Sequence, residues 1–276
     1  MTEPSRAAVL GRPIGHSLSP VLHRAAYAAL GLNWEYTAID TAVETLPERL
    51  RQAARQRDWA GFSVTMPIKR AALELADTCT DRAQRVGAAN TLLPLPDGGW
   101  LATNTDVDGI TAALAAHDVT ARSVTLLGAG GTAQAAVVAL AELGHADATV
   151  LVRDPARTRQ LRRTADATGV RLRIAELSPD EPGFDADLVV STLPAHAADV
   201  VASRRWRASQ AVLDAAYAPW PSALAAAVAA AGGVVVSGAL MLLHQAGEQV
   251  RLMTGRPAPI EVMRAALRSA APRAGL

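Results

Sequence analysis

Lysine is nearly missing from this sequence: of 27 basic residues, Lys69 is the only one that is not arginine. Cysteine is missing but for Cys79. That excludes an internal disulfide framework and makes a reducing compartment, the cytoplasm, the expected setting. Charge of one sign is missing as well, since the net value is +1. A balance of that kind carries no footprint for nucleic acid or anionic lipid. No apolar run reaches the roughly 18 residues of a membrane helix; the stretch 223–236 is alanine- and glycine-rich and too short. Residues 1–10 carry charges and a proline in place of an apolar core, so no signal peptide is expected there.

What is present is a hydrophobic half of 276 residues with few aromatics, enough for two modest domains. The lone lysine is the sharper fact. A drift toward arginine from a GC-rich genome explains the arginines but not the place of the survivor. Arginine replaces lysine on a surface, yet it cannot give up its proton at working pH. A position that keeps lysine is therefore a candidate for proton transfer.

Hydrophobic patterning predicts a strand over 7–11, a helix over 19–30 with Ser19 as N-cap and Pro20 at its start, and a strand over 35–39. A polar helix over 43–56, a strand over 60–65 and a helix opened by Pro67, with Lys69 in its first turn, follow. Such alternation predicts a mostly parallel sheet with helices on both faces. A second unit begins with strand 123–127, then a helix ending near Gly144, strand 148–152 and helix 155–167. Strands 187–191, 211–214 and 232–236 complete its sheet, and helices 238–253 and 259–269 close the chain. The expected joint is the helix starting near Asp106, with the last helices packing back on the first domain. That divides the chain into 1–105 plus 240–276 and 106–239.

Between the strand ending at Leu127 and the following helix stand Gly128, Ala129, Gly130, Gly131, Thr132 and Ala133. This is G-x-G-x-x-A in the strand–turn–helix setting that a dinucleotide fingerprint requires. Gly128 permits the tight turn, Gly130 the approach of pyrophosphate to backbone, and Ala133 close packing of helix on strand. At the end of the second strand, Arg153 suits the 2′-phosphate of NADP and Asp154 the ribose hydroxyls of NAD. NADP is favoured, with NAD open.

Four polar clusters fall at loop and helix starts in the first domain. They are Gly15-His16-Ser17-Leu18-Ser19-Pro20, Ser63-Val64-Thr65-Met66-Pro67-Ile68-Lys69, Gly87-Ala88-Ala89-Asn90-Thr91, and Asn104-Thr105-Asp106-Val107-Asp108-Gly109. Taken singly, each reads as helix capping or turn chemistry. Together, ahead of the glycine-rich turn and with a late Gln245 in M-L-L-H-Q, they resemble the shikimate dehydrogenase family over nearly the whole chain.

That resemblance implies an N-terminal α/β substrate domain, a C-terminal Rossmann-type NADP domain and a cleft between them. It also implies reduction of 3-dehydroshikimate to shikimate with NADPH, on the route to aromatic amino acids. Carried over by residue, it assigns Ser17 and Ser19 to the substrate carboxylate and Thr65, Asn90, Asp106 and Gln245 to its hydroxyls. Tyr217 would reach in from the nucleotide domain, and Asp81, Thr192, Ala215 and Gly238 would line the cofactor. Lys69 and Asp106 would be the catalytic pair. An ammonium at the carbonyl oxygen stabilises the developing alkoxide and supplies its proton.

This chain departs from the family at three places. Ser63, which the resemblance assigns with Lys69 to the substrate-binding set, stands where an asparagine usually precedes V-T, offering one donor where the amide has two. Val152, Arg153 and Asp154 replace the usual N-R-T or N-R-S, and Ser191 opens a motif that often begins with Asn. Those changes motivate an alternative reading as a quinate/shikimate paralogue using NAD or both cofactors; a silent nucleotide-binding regulator is a third. His16, His23, His196 and His244 are dispersed without ligand spacing, so no metal is predicted. The expected partner is a small molecule, with neither nucleic acid nor membrane, on a monomer or homodimer.

Overall fold

The computed structural model describes residues 6–276. Residues 1–5, part of the N-terminal stretch read above, lie outside the described residues. Two compact units form: Met1–Thr105 with Gln245–Ala270, and Asp106–His244 with Ala271–Leu276. The return to the first unit comes at Gln245 rather than 240, and the last six residues sit in the second unit rather than the first.

The first unit holds β1 (Arg6–Gly11), α1 (Ser19–Ala29), β2 (Glu35–Asp40), α2 (Leu46–Gln56), β3 (Trp59–Val64), α3 (Lys69–Leu75), β4 (Thr78–Cys79), α4 (Asp81–Val86), β5 (Thr91–Pro94) and β6 (Trp100–Thr103). Its sheet runs β2-β1-β3-β5-β6-β4. The pairings of β1 with β2 and β3, and of β4 with β6, are parallel; β5 pairs antiparallel with both β3 and β6. Its helices pack on a sheet buried on both faces, which is why β1 reads as an unbroken apolar run, Ala7 to Leu10. One core gathers Leu10, Phe62, Val64, Leu92 and Trp100 against Leu46 and Leu50 of α2.

α2 shows which force holds such an element. Leu46, Leu50 and Ala53 recur at helical spacing and are buried, while Glu48 pairs with exposed Arg51 at 2.7 Å. An exposed pair of this kind contributes little, against about 2 kcal/mol for burying each leucine. Burial decides. The helix begins at Leu46 and not at 43, because the Thr45 hydroxyl and Ala42 exchange hydrogen bonds in a turn of their own. Ser19 is likewise not an N-cap: it is the first helical residue of α1, and its N–H donates to Ser17 Oγ at 3.3 Å.

The second unit holds α5 (Asp106–Ala115), β7 (Val124–Leu127), α6 (Gly131–Glu142), β8 (Asp147–Val152), α7 (Arg159–Thr168), β9 (Arg171–Glu176), β10 (Leu188–Ser191), α8 (Asp199–Ala202), β11 (Ala211–Asp214), α9 (Ala223–Ala230) and β12 (Val234–Ser237). All its pairings are parallel, in the order β12-β11-β10-β7-β8-β9. This is the doubly wound order, with the chain reversing direction across the sheet between β7 and β10. Every residue of β7, β10 and β11 is buried. β7 starts at Val124 because the Ser123 N–H and hydroxyl are taken by Asp187 Oδ2. The helix expected over 155–167 divides into a 3₁₀ turn, Pro155–Thr158, and α7.

α10 (Gly238–Thr254) and α11 (Ile260–Ala270) end the helical part of the chain. α11 packs on α1 within the first unit. Among the described residues no helix is long and apolar enough to cross a membrane.

Beneath α1 lies a buried polar cluster. His23 is wholly buried and stacks on Tyr36 at a centroid distance of 4.0 Å. Burial lowers its pKa to about 3, against a smaller opposing effect of its hydrogen bond to Gln249. Above pH 6.5 the imidazole is neutral folded and unfolded, and stability is independent of it. As pH falls below that value, the unfolded chain binds a proton that the folded one refuses until about pH 3. Stability is then lost at up to about 1.4 kcal/mol per pH unit. Unfolding free energies measured between about pH 4 and 6 should differ in slope by one proton between the native chain and His23→Gln. Parallel profiles would mean that His23 titrates in the folded protein.

Candidate functional site

In the first unit the ends of β1 and β3 lie side by side. The Thr65 N–H donates to Leu10 O at 2.9 Å, and Gly11 is packed so tightly that a Cβ there would strike Thr65 Cγ2 and approach Met66 O to 2.8 Å. Thr65 thus turns the chain out of β3, and the Ile68 N–H closes that turn onto Thr65 O at 3.1 Å. Lys69 opens α3, half-buried, and its carbonyl accepts the Ala89 N–H at 2.9 Å.

The residue after Ala89 is the centre of the cluster. Asn90, 2% exposed, accepts the Thr105 N–H at Oδ1 (2.8 Å). Its Nδ2 donates to Thr105 Oγ1 (3.0 Å) and Gln245 Oε1 (3.3 Å). The Thr105 hydroxyl in turn reaches Gln245 O at 3.0 Å. So Lys69, Asn90, Thr105 and Gln245, far apart in sequence, are tied together by backbone and amide bonds. Asp106 follows Thr105 directly, is buried, and begins α5 in the second unit.

Ser63 is placed differently from its expected role. It is 4% exposed; its hydroxyl donates to Gln249 Oε1 at 2.7 Å and accepts from Tyr36 Oη at 2.6 Å. Toward any ligand it has only a lone pair left. Ser17 and Ser19 stand at the entry of α1, and Asp81 is exposed at the start of α4. Gln249, Tyr36 and Thr91 were missed as site neighbours. Gln249 carried a signal, since it lies four residues beyond Gln245 and so on the same helical face.

In the second unit the expected cofactor residues gather at the carboxyl ends of the strands. Gly128 follows β7 with φ +103, and a Cβ there would sit 2.7 Å from Thr192 Oγ1. The Thr192 hydroxyl, just past β10, is spent on Leu127 O at 2.8 Å, which fixes the floor of the turn. Gly130 caps α6, and nothing lies within 4 Å of where its Cβ would be. Past β12, Gly238 abuts the backbone of Ala215, past β11, and a Cβ would come within 2.8 Å of Asp214 O. Tyr217 follows two residues on, its pKa raised by burial. Burial also pushes the Asp214 carboxyl above its ordinary value, although Ser222 Oγ donates to it at 2.6 Å.

A cavity of about 250 Å³ is lined by Gly128, Gly130, Val152, Arg153, Asp154 and Arg157. The Asp154 carboxylate accepts the Ala156 N–H at 2.9 Å and so caps the 3₁₀ turn. Arg157, unread from the sequence, comes onto the same wall as Arg153 because that turn brings it back. Bare backbone at a helix N-terminus beside two guanidinium groups fits a phosphorylated dinucleotide. Among the described residues no group of three or more His, Cys, Asp or Glu side chains is placed to hold a metal ion.

Comparison with known proteins adds to this geometry. Residues 9–92 match the family model of the shikimate dehydrogenase substrate binding domain, and 238–268 that of the shikimate 5'-dehydrogenase C-terminal domain. The crystal structure of Mycobacterium tuberculosis shikimate dehydrogenase is 47% identical with a TM-score of 0.85, covering 97% of this chain and 100% of that one. Shikimate 5-dehydrogenase of Thermus thermophilus, in complex with NADP(H) and shikimate, is 33% identical with a TM-score of 0.82, covering 96% and 99%. A shikimate dehydrogenase (NADP(+)) of Rubrobacter xylanophilus is 37% identical over 273 residues, 96% of either chain.

Proposed function

The chain belongs to the shikimate dehydrogenase family, and from that premise we propose that it is an NADP-dependent oxidoreductase that interconverts 3-dehydroshikimate and shikimate. The observation that carries this reading is the tied cluster of Lys69, Asn90, Thr105 and Gln245. A structural core has no need of three amide or hydroxyl side chains gathered beside the helix start that carries Lys69, and a nucleotide sensor has no use for them.

In this reading Ser17 and Ser19 donate to the substrate carboxylate. Thr65, Asn90 and Gln245 hold its hydroxyls, and Tyr217 adds a further contact. Lys69 holds a proton at the carbonyl oxygen and delivers it as the alkoxide forms; in the reverse direction it removes the hydroxyl proton. Asp106 keeps the ammonium oriented toward the reacting oxygen. NADPH, when bound, supplies the hydride to carbon. Arg153 and Arg157 hold its 2′-phosphate, Gly128–Ala133 its pyrophosphate, and Asp81, Thr192, Ala215 and Gly238 line its site. The reaction belongs to aromatic amino acid biosynthesis in the cytoplasm.

Steady-state rates for shikimate and for quinate, each with NADP and with NAD, test the proposal. The highest kcat/KM is expected for shikimate with NADP. Turnover with none of the four pairings rejects the enzyme reading, and a higher kcat/KM for quinate or for NAD replaces the named substrate or cofactor.

A further inference from the structure

The buried cluster beneath α1 and the amide of Asn90 form one hydrogen-bonded chain with a single direction. The Asn90 carbonyl can only accept, so Gln249 turns Nε2 toward it at 3.0 Å. The same Nε2 donates to Thr91 Oγ1 at 2.9 Å. With a lone pair so occupied, Thr91 sends its only proton to Asn90 Oδ1 at 2.8 Å. Oδ1 also takes the Thr105 N–H, which leaves the Asn90 N–H groups as the face turned toward Gln245.

At the other end, Gln249 Oε1 accepts the Ser63 hydroxyl at 2.7 Å, and Ser63 accepts from Tyr36. His23 Nε2 lies 3.3 Å from the same Oε1 and so carries the ring proton, leaving Nδ1 to accept from Tyr27 Oη at 3.3 Å. His23, Tyr36, Ser63, Thr91, Asn90 and Gln249 are all buried. Water therefore does not compete for these bonds.

We propose that Gln249 is a positioning residue of the substrate site: through Thr91, and beside the Thr105 N–H, it holds the side-chain oxygen of Asn90 away from Gln245, so that a substrate hydroxyl meets the N–H that Gln245 Oε1 accepts here and not the carbonyl. This rests on the reading of Asn90 as a substrate ligand. Ser63 and Tyr36 act one step further back, holding Gln249 Oε1. A serine in place of asparagine at position 63 is thus committed to the relay rather than to the substrate.

Four variants, each assayed for kcat and KM with shikimate from about pH 6 to 9 beside the native enzyme, test the proposal. Gln249→Glu keeps the shape but can only accept when ionised. Thr91 then donates to the introduced carboxylate and turns a lone pair on Asn90 Oδ1. KM is expected to rise about 10-fold at about pH 9, the scale of one lost buried hydrogen bond, with kcat within about 3-fold. Because burial raises a carboxyl pKa, the KM ratio to native should fall back toward one at about pH 6, where the protonated carboxyl donates again. His23, Tyr27 and Tyr36 are the titratable groups that face position 249.

Thr91→Val removes the relay hydroxyl at constant shape and should raise KM about 3–5-fold at every pH, whereas Thr91→Ser should restore it to within about 2-fold of native. If Gln249→Glu does not fold, this pair decides. Native KM in Thr91→Val, or a pH-independent ratio in Gln249→Glu, overturns the proposal while Asn90→Ala still raises KM. A native KM in Asn90→Ala instead removes the substrate reading, and the proposal with it.

Discussion

Replacing Lys69 with alanine lowers kcat for shikimate by about 10²–10⁴-fold, the range for loss of a general acid–base group, and moves KM far less. The backbone bond from the Ala89 N–H to the Lys69 carbonyl is untouched by the change, and alanine is at least as good a helix former at the start of α3. Lys69→Arg is the more telling variant. It keeps the charge that every other basic position in this chain carries as arginine, but a guanidinium does not release its proton. Activity should therefore stay low in both variants. Were kcat to survive and only KM to rise, Lys69 would be a binding residue and the proton would come from elsewhere.

The second large effect concerns the cofactor. Changing Arg153 and Arg157 together to alanine should raise KM for NADP by about 10²-fold and leave KM for NAD within about 3-fold. Two charge-assisted contacts to one phosphate account for that size once solvent screening at these exposed positions is allowed for. The native preference for NADP should also weaken as salt is raised, because the same contacts are screened. Asp154 Oδ1 caps the turn that places Arg157. Equal losses for both cofactors would instead assign the arginines to the shared part of the dinucleotide.

The lysine and the glycine-rich turn were legible because their chemistry is local. Gly128, Gly130 and Ala133 are constrained by the turn that contains them, so spacing alone reveals them. Arg157 was not legible, because its role depends on a 3₁₀ turn held by a single side-chain cap. Strands of two to four residues, such as β4, β5 and β6, carry too few positions for a period to show. β9, absent from the strands expected above, carries one over its first four residues, alternating Arg171 and Arg173 with Leu172 and Ile174 after Gly169, and loses it at Ala175 and Glu176. Ser19 was misread because a serine before proline looks the same as an N-cap whether it lies just outside the helix or just inside. Ser63 shows a different limit. Sequence reveals that a donor was lost there, but only the fold reveals that the remaining hydroxyl is owed to Gln249.

The chain leaves its first unit after Thr105 and re-enters it at Gln245. During synthesis, at roughly 5–20 residues per second, the intervening stretch takes about 7–28 s to emerge. Through that interval α1 exists without α11, the helix that packs on it, and Leu22 and Ala26, fully buried in the finished protein, have no such cover. The nascent first unit thus leaves that apolar face uncovered while the second unit is being made.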